Sequence, residues 1–296
     1  MKLDLHIHTQ NSDGQYTVEE IVMKLIKEEI NIFSITDHDN VNSCIQMEQI
    51  ILPKYFKYIP GVELSAILNN KYNCHILGYN IDYRSEFIQN QCEKIKINKL
   101  HRMLKIIKYL YEQHGIEIPE TEKKKLFEKD RPIGRSELCQ VLIKLLNLSK
   151  TEIFNKYLAN VPKEEEHRIS AEDTINTIHK AKGHAILAHP KEIELEYNIM
   201  LEDIIYDLLE MGINGIEISN SIHELKDVRR YLLIAKKYGL LTTAGSDYHG
   251  DRLKPEIELG KTTIMKKDMT PNDINYIKKI LPSSRKKYIK KMESVF

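Results

Sequence analysis

Residues 3–13 read LDLHIHTQNSD, and the first six of them alternate without a fault. Leu3, Leu5 and Ile7 fall on one side and Asp4, His6 and His8 on the other, which is the period of a strand and puts both imidazoles on one face. Six further short apolar runs follow, at 32–36 (IFSIT), 58–63 (YIPGVE), 74–80 (CHILGYN), 185–189 (AILAH), 215–219 (GIEIS) and 240–244 (LLTTA). Most carry a polar, often metal-competent residue at or just past one end. Helical patterns lie between them. Thr17-Val18-Glu19-Glu20 is a capping box ahead of the stripe Val18, Ile21, Val22, Leu25 and Ile26. Ser170 opens a second helix with Ile175 and Ile178 inside, and residues 223–238 form a third, stopped by Gly239. This alternation predicts an α/β fold with a mainly parallel sheet. Seven strands with polar ends at one rim predict a barrel with its site at the C-terminal face.

Two stretches depart from the rhythm. Only eleven residues separate Glu63 from His75, too few for a crossover helix. Asn69-Asn70 in their midst predicts an antiparallel hairpin that brings the end of the third strand beside the start of the fourth, with Glu63 and His75 at one rim. Farther on, a helical pattern over about 87–113, with Leu100, Met103, Leu104, Ile107, Leu110 and Tyr111, leads into Lys- and Glu-rich helical stretches. The expected organisation is a barrel built from 1–85 and 169–296, with 86–168 a helical insertion capping its rim.

Lys+Arg 44 against Asp+Glu 43 leaves a net charge of +1, so no global field draws the chain to nucleic acid or a membrane surface. Between Glu93 and Arg131, 11 Lys/Arg stand against 7 Asp/Glu, an excess that reads as a solvated helix face. No stretch approaches the ~18 apolar residues of a membrane span. The first residues carry Asp4 and two histidines where a signal peptide has an apolar run. Cys44, Cys74, Cys92 and Cys139 form no CxxC pair and no tight framework, which fits a reducing compartment. A cytoplasmic protein is expected.

Of the twelve histidines, six sit at strand ends beside carboxylates: His6 and His8 with Asp13, His38 between Asp37 and Asp39, His75 opposite Glu63, His189, and His249 after Asp247. Any one alone is more often a satisfied structural histidine. Together at one rim they make a set of imidazole and carboxylate donors without thiolate, which suits divalent Mn, Fe or Zn. Three groups of three or four ligands can hold two or three such ions. Ions ~3.5–4 Å apart share and deprotonate a water and clamp the oxygens of an in-line displacement.

DLHIHTQNSDG, ITDHDN, GVELS, HILGYNID, AILAHP and GSDYHG resemble, in order, the signature of the PHP (polymerase and histidinol phosphatase) family across residues 3 to 250. The resemblance implies a distorted (β/α)7 barrel with a di- or trinuclear site. In that pattern His6, His8, Glu63 and Asp247 hold a first metal. Glu63 bridges to a second, held by His75 and His189, and Asp13, His38 and His249 hold a third. Asp13, the insertion and the length are similar to the small stand-alone branch. Its members hydrolyse nucleoside 3′,5′-bisphosphates, nucleoside monophosphates or the ends of short RNA. That branch usually carries Arg-Pro-His in the insertion, whereas this chain reads Arg131-Pro132-Ile133-Gly134-Arg135. Arg131 and Arg135 are candidates for a second phosphate, or simply flank a helix start. His223 matches a histidine recurrent in the branch and is a candidate phosphate donor or leaving-group acid, or a helix cap.

The expected activity is a metal-dependent phosphoesterase on phosphate monoesters of nucleotides. A hydroxide bridging two metals attacks phosphorus, and Asp247 orients it or takes its proton. Three alternatives stand beside it: a 5′–3′ exoribonuclease or phosphodiesterase on short RNA, helped by the basic tail Arg285, Lys286, Lys287, Lys290 and Lys291; a histidinol-phosphate phosphatase; and a non-catalytic metal-dependent nucleotide-binding module. His184 reads as structural, and His101, His114, His167 and His179 are assigned no role.

Overall fold

The computed structural model describes residues 2–128, 131–161 and 168–262; His167 and the basic tail lie outside them. Eight described strands, β1 (Lys2–Asp4), β2 (Ile30–Phe33), β3 (Lys57–Tyr58), β4 (Gly61–Leu68), β5 (Tyr72–Tyr79), β6 (His184–Leu187), β7 (Gly215–Ser219) and β8 (Leu241–Ala244), form two sheets. Their orders are β1-β2-β3 and β4-β5-β6-β7-β8. The mixed α/β fold is as expected, but the strands do not form one closed seven-stranded sheet. One difference lies at Pro60, which has no N–H to donate to a ladder. The run at 58–63 breaks there into β3 and β4, and Glu63 stands near the start of a long strand instead of at the end of a short one.

The 4–5 hairpin is present. Asn69 and Asn70 both adopt left-handed backbone (φ 53° and 53°), the conformation a tight hairpin turn requires. The register sets Ser65 opposite His75 and Glu63 opposite Leu77, so Glu63 and His75 are diagonal neighbours on one face. Because β5 runs against the rest, its pairing with β6 is antiparallel too, while β6-β7-β8 and β1-β2-β3 are parallel.

Backbone hydrogen bonds beyond the strand ends bring the two sheets together. Residues after β1 run beside residues after β8: Leu5 N donates to Ala244 O (3.1 Å), Asp247 N to His6 O (2.9 Å) and His8 N to Tyr248 O (2.9 Å). This approach needs Gly245, where a Cβ would lie 2.3 Å from the Cβ of His6. The turn after β2 meets β4 in the same way, with Asp39 N donating to Glu63 O (2.8 Å) and Glu63 N to Asp37 O (3.2 Å).

Beneath the future site lies a small apolar plug of Leu5, Ile32, Ile59, Leu77, Tyr79, Ile186 and Ala188, whose larger members contribute ~1.5–3 kcal/mol each on burial. Helices cover the outer faces. α1 (Val18–Lys27) is capped as the sequence predicts, Thr17 Oγ1 accepting from Glu20 N, and its Val18, Ile21 and Leu25 pack with Ile30 and Phe33 of the first sheet. α2 (Asn42–Met47) follows the turn after β2.

The region expected as an insertion is helical. α3 (Glu86–His114) ends at Gly115 (φ 64°) and is followed by α4 (Glu120–Phe127), α5 (Arg135–Leu146) and α6 (Lys150–Ile153), the last running on as a π turn, Phe154–Leu158. Residues from Met103 to Val161 share an apolar cluster of their own. The start of α3 instead packs with α7 (Ala171–Lys180), through Ile88 and Cys92 beside Ile175 and Ile178. α8 (Pro190–Tyr197), α9 (Ile205–Glu210) and α10 (Leu225–Tyr238) complete the chain's described helices and cover the second sheet. Among the described residues no helix is long and apolar enough to cross a membrane. All four cysteines are buried thiols outside any disulfide.

Candidate metal centre

The chain segments that cross-link the sheets carry the chemistry. His6 and His8 follow β1, His38 follows β2, Glu63 and His75 sit on the hairpin, His189 follows β6, and Asp247 and His249 follow β8. Asp13 arrives on the loop after His8, which folds back as Ser12 N and Gly14 N donate to Thr9 O (3.0 and 2.9 Å). His189 and Asp247 hold left-handed backbone (φ 22° and 58°), a conformation costly for side-chain-bearing residues and concentrated at functional sites.

Glu63 is the centre of the arrangement. Its Oε2 lies 3.0 Å from His6 Nε2, 3.1 Å from His8 Nε2 and 3.1 Å from His38 Nδ1, and its Oε1 lies 3.0 Å from His189 Nε2 and 3.2 Å from His75 Nδ1. Asp247 Oδ1 stands 3.0 Å from His8 Nε2 and 3.4 Å from His6 Nε2. Asp13 Oδ1 stands 3.3 Å from His249 Nε2, 3.9 Å from His8 Nδ1 and 4.0 Å from His38 Nε2. Ligands ~2.0–2.2 Å from an ion and ~90–110° apart are separated by ~3.0–3.5 Å, which is the spacing around Glu63 and Asp247. Four donor sets are compact enough for one ion each: His6, His8, Glu63, Asp247; His8, Asp13, His38, His249; His38, Glu63, His75; and His75, His189, Glu192.

The fit to a cation is visible in what these atoms do not do. His6 Nε2, His8 Nε2, His38 Nδ1, Asp13 Oδ1 and Glu63 Oε2 are buried and make no hydrogen bond, although buried polar atoms almost always do. They crowd around common spaces, where a cation that displaced the ring protons would find both nitrogen and carboxylate donors. Protons do the neutralising meanwhile. Burial alone would push the His8 ring down, but Asp247 and Glu63 outweigh it and raise its pKa to about 9. The same contest leaves His6 and His189 well above the usual imidazole range. Burial opposes ionisation of Glu63, Asp13 and Asp247, yet the surrounding imidazoles, joined at Asp247 by Lys254, hold all three well below the usual carboxylate range. His38, whose burial dominates, falls to about 3. Nitrogen and carboxylate donors without thiolate fit Mn, Fe or Zn.

A second layer fixes the ligands. Glu217, on β7 and fully buried, accepts from His6 Nδ1 (3.1 Å) through one oxygen and from His189 N (2.9 Å) and Asn220 Nδ2 (3.0 Å) through the other. It thereby keeps the Nδ1 proton of His6, so that Nε2 is the nitrogen a cation would take in exchange for a proton. Asp4 accepts from Ser246 N (2.9 Å) and Oγ (2.6 Å), and Asp37 from Thr9 N (2.7 Å) and Ser12 Oγ (2.6 Å). Asp39 pairs with Lys99 of α3 (2.6 Å) and with Ser65, so the helical region reaches the rim. Asp37 and Asp39 flank His38 in sequence but face away from the donor sets into these supports.

The remaining predicted site residues lie elsewhere. Arg131 donates to Glu137 and to Pro132 O, and Arg135 is exposed at the start of α5. Among the described residues neither makes a hydrogen bond or ion pair with the ligand cluster. Ile133, where the resembling branch has histidine, is buried in the apolar cluster of the helical region. His223 is buried against Tyr231, and its Nδ1 donates to Ile218 O (3.1 Å). Burial lowers its pKa, against the charges of Glu217 and Asp227. Three residues escaped the sequence reading: Glu217, whose signal was a lone charge in an apolar run; Glu192, one helical turn past His189 and 2.8 Å from its Nδ1; and Lys254, 2.9 Å from Asp247 Oδ2.

The profile of the PHP domain family matches residues 4–221. The chain belongs to the PHP family. A 3′,5′-nucleoside bisphosphate phosphatase of Chromobacterium violaceum is 26% identical over 250 residues, covering 83% of this chain and 87% of that protein. The 5′-3′ exoribonuclease Rnm of Escherichia coli is 27% identical over 271 residues, covering 87% and 88%. A solved structure described as an amidohydrolase from Chromobacterium violaceum, with bound sulfate and no metal, superposes with a TM-score of 0.77 at 24% identity, covering 94% of this chain and 96% of that one; it speaks for the fold alone. Within the PHP family the chain is a hydrolase, a metal-dependent phosphoesterase.

Proposed function

We propose that this PHP-family chain is a nucleotide phosphomonoesterase, acting on nucleoside 3′,5′-bisphosphates or nucleoside monophosphates. The observation that carries the reading is the convergence of buried imidazole and carboxylate donor atoms without hydrogen bonds around Glu63, with the bisphosphate phosphatase relative giving the substrate class. His6, His8, Glu63 and Asp247 would hold one divalent ion, Glu63, His75 and His189 a second, and Asp13, His38 and His249 a third, each Mn, Fe or Zn. Such ions, when bound, lower the pKa of water and neutralise the charge of a phosphoryl group in displacement.

The chain's own residues set direction and access. His6, His8 and Glu63 are fully buried, whereas the side chains of Asp13 and His75 are each 31% exposed. A phosphate therefore reaches the cluster over the edge framed by Asp13, His38 and His75. Asp247, ionised at neutral pH, accepts a hydrogen bond from the attacking water and orients it toward phosphorus. His223, whose Nδ1 is held by Ile218 O, is the candidate for a phosphate contact or for protonating the leaving oxygen. Water and substrate selection are then set by the edge and by the helical region above it, which Lys99 ties to the turn after His38.

The test is phosphate release by Mn²⁺-loaded protein from adenosine 3′,5′-bisphosphate, AMP, a 5′-phosphorylated RNA trimer and histidinol phosphate. Preference for the bisphosphate or AMP is the expected result. Mononucleotide release from the trimer without phosphate release from the bisphosphate would make the chain a 5′–3′ exoribonuclease, the activity named for the Escherichia coli relative. Preference for histidinol phosphate would overturn the nucleotide reading. Silence across the panel with metal bound would leave a binding module.

A further inference from the structure

Lys254 lies beyond the residues matched by the family profile, on the turn that follows His249. That turn is held on every side. Leu253 N and Lys254 N both donate to Gly250 O (3.2 and 3.1 Å), and Arg252 N donates to Gln15 Oε1 (2.9 Å). Asp251 is pinned by the hydroxyls of Tyr16 (2.7 Å) and Tyr248 (2.5 Å) and by Lys24 (2.8 Å). The turn thus presents Lys254 from a fixed backbone, and its Nζ stands 2.9 Å from Asp247 Oδ2, the oxygen turned away from His6 and His8. The ammonium also faces the charges of Asp13 and Glu63. Its side chain is 35% exposed, so it stands at the same open edge as Asp13.

We infer that Lys254 is a phosphate-binding residue of this site, its ammonium taking a non-bridging oxygen of the substrate phosphate while Asp247 holds it in place. The inference rests on the phosphoesterase reading above. An ammonium has three donors, and among the described residues one is spent, on Asp247. The other two can reach phosphate oxygens without giving up that anchor. Lys254 thus occupies the role the sequence offered to Arg131, which is committed to Glu137. A cation here supplements the metal cluster on the solvent side, where the phosphoryl charge is least screened by ligands.

Full-length, Mn²⁺-loaded Lys254→Met and Lys254→Arg test it against inorganic phosphate, by titration calorimetry and as an inhibitor, and against adenosine 3′,5′-bisphosphate in turnover. Loss of a charge-assisted hydrogen bond predicts that Lys254→Met weakens phosphate binding and raises KM ~10–100-fold. kcat should fall less, metal content and Tm should stay unchanged, and Lys254→Arg should recover most of the loss. Unchanged phosphate affinity and KM, or activity lost in step with metal content, would make Lys254 a neutraliser of Asp247 and overturn the inference. If the wild type hydrolyses no ester but binds phosphate in a Lys254-dependent way, the phosphoesterase reading fails and the inference stands. Hydrolysis indifferent to Lys254 gives the reverse.

Discussion

Glu217→Gln removes one charge and almost no volume, yet it attacks the support of two proposed metal ligands. The carboxylate accepts three hydrogen bonds, one from His6 on Oε1 and two from His189 N and Asn220 on Oε2. An amide has one acceptor oxygen. If that oxygen keeps the two donors at His189 N and Asn220, the NH₂ group faces His6 Nδ1 and can only be accepted there. When the ring gives up one proton, the one it keeps must then sit on Nε2, the nitrogen aimed at Glu63 and Asp247. A ligand whose lone pair carries a proton binds no cation until that proton is displaced. Removing an outer partner of this kind weakens metal affinity ~10–100-fold, or ~1.4–2.7 kcal/mol. The measurement is competitive Mn²⁺ or Zn²⁺ titration with a chromogenic chelator, alongside a thermal melt of the metal-free protein. Weakened binding with the melt little changed is expected. Wild-type metal affinity in Glu217→Gln would refute the tautomer argument, and a collapsed fold would show that Glu217 is structural first.

Other outcomes follow from the same geometry. His8, raised from 6.5 to about 9 in the metal-free fold, contributes stability that is complete below its unfolded pKa and lost as pH rises through the folded one. The chelator-treated protein should therefore melt lower at pH 9 than at pH 6.5, while metal affinity rises over that interval because binding displaces protons; a melt independent of pH would contradict it. Gly245→Ala would put a methyl 2.3 Å from His6 Cβ, and should cost roughly 1–3 kcal/mol by overpacking and lower metal content, both readable from one preparation. Lys99→Met leaves the buried Asp39 carboxylate without its ammonium partner; a loss of about 3 kcal/mol in a urea melt is expected, and a loss below 1 kcal/mol would mean the pair is solvated.

Much of the site was legible because its donors are local features of strand ends. Alternation from Leu3 to His8 places both imidazoles on one face, and Asn69-Asn70 calls for a turn that no crossover helix could replace. Those patterns depend on backbone geometry within a few residues, so one chain suffices to read them. The strand count was less legible, because a single missing N–H at Pro60 divides a run that hydropathy joins. The barrel that the strand pattern predicts is not closed in the structure: sheet closure depends on which edges pair at long range, and residues 5–8 and 37–39 make isolated contacts across the two sheets instead of continuous ladders.

The sequence by itself determined the donor types, their place at strand ends, the hairpin and the helical caps, since each follows from side-chain chemistry and short-range period. Only the tertiary structure decided which charges support those donors and which cation stands beside them at the open edge. Glu217 and His6 are 211 residues apart along the chain, and Lys254 reaches Asp247 while Arg131 turns to Glu137. A side chain's electrostatic partner is set by distance in space, and spacing along the chain carries no record of it once the strands have been assembled.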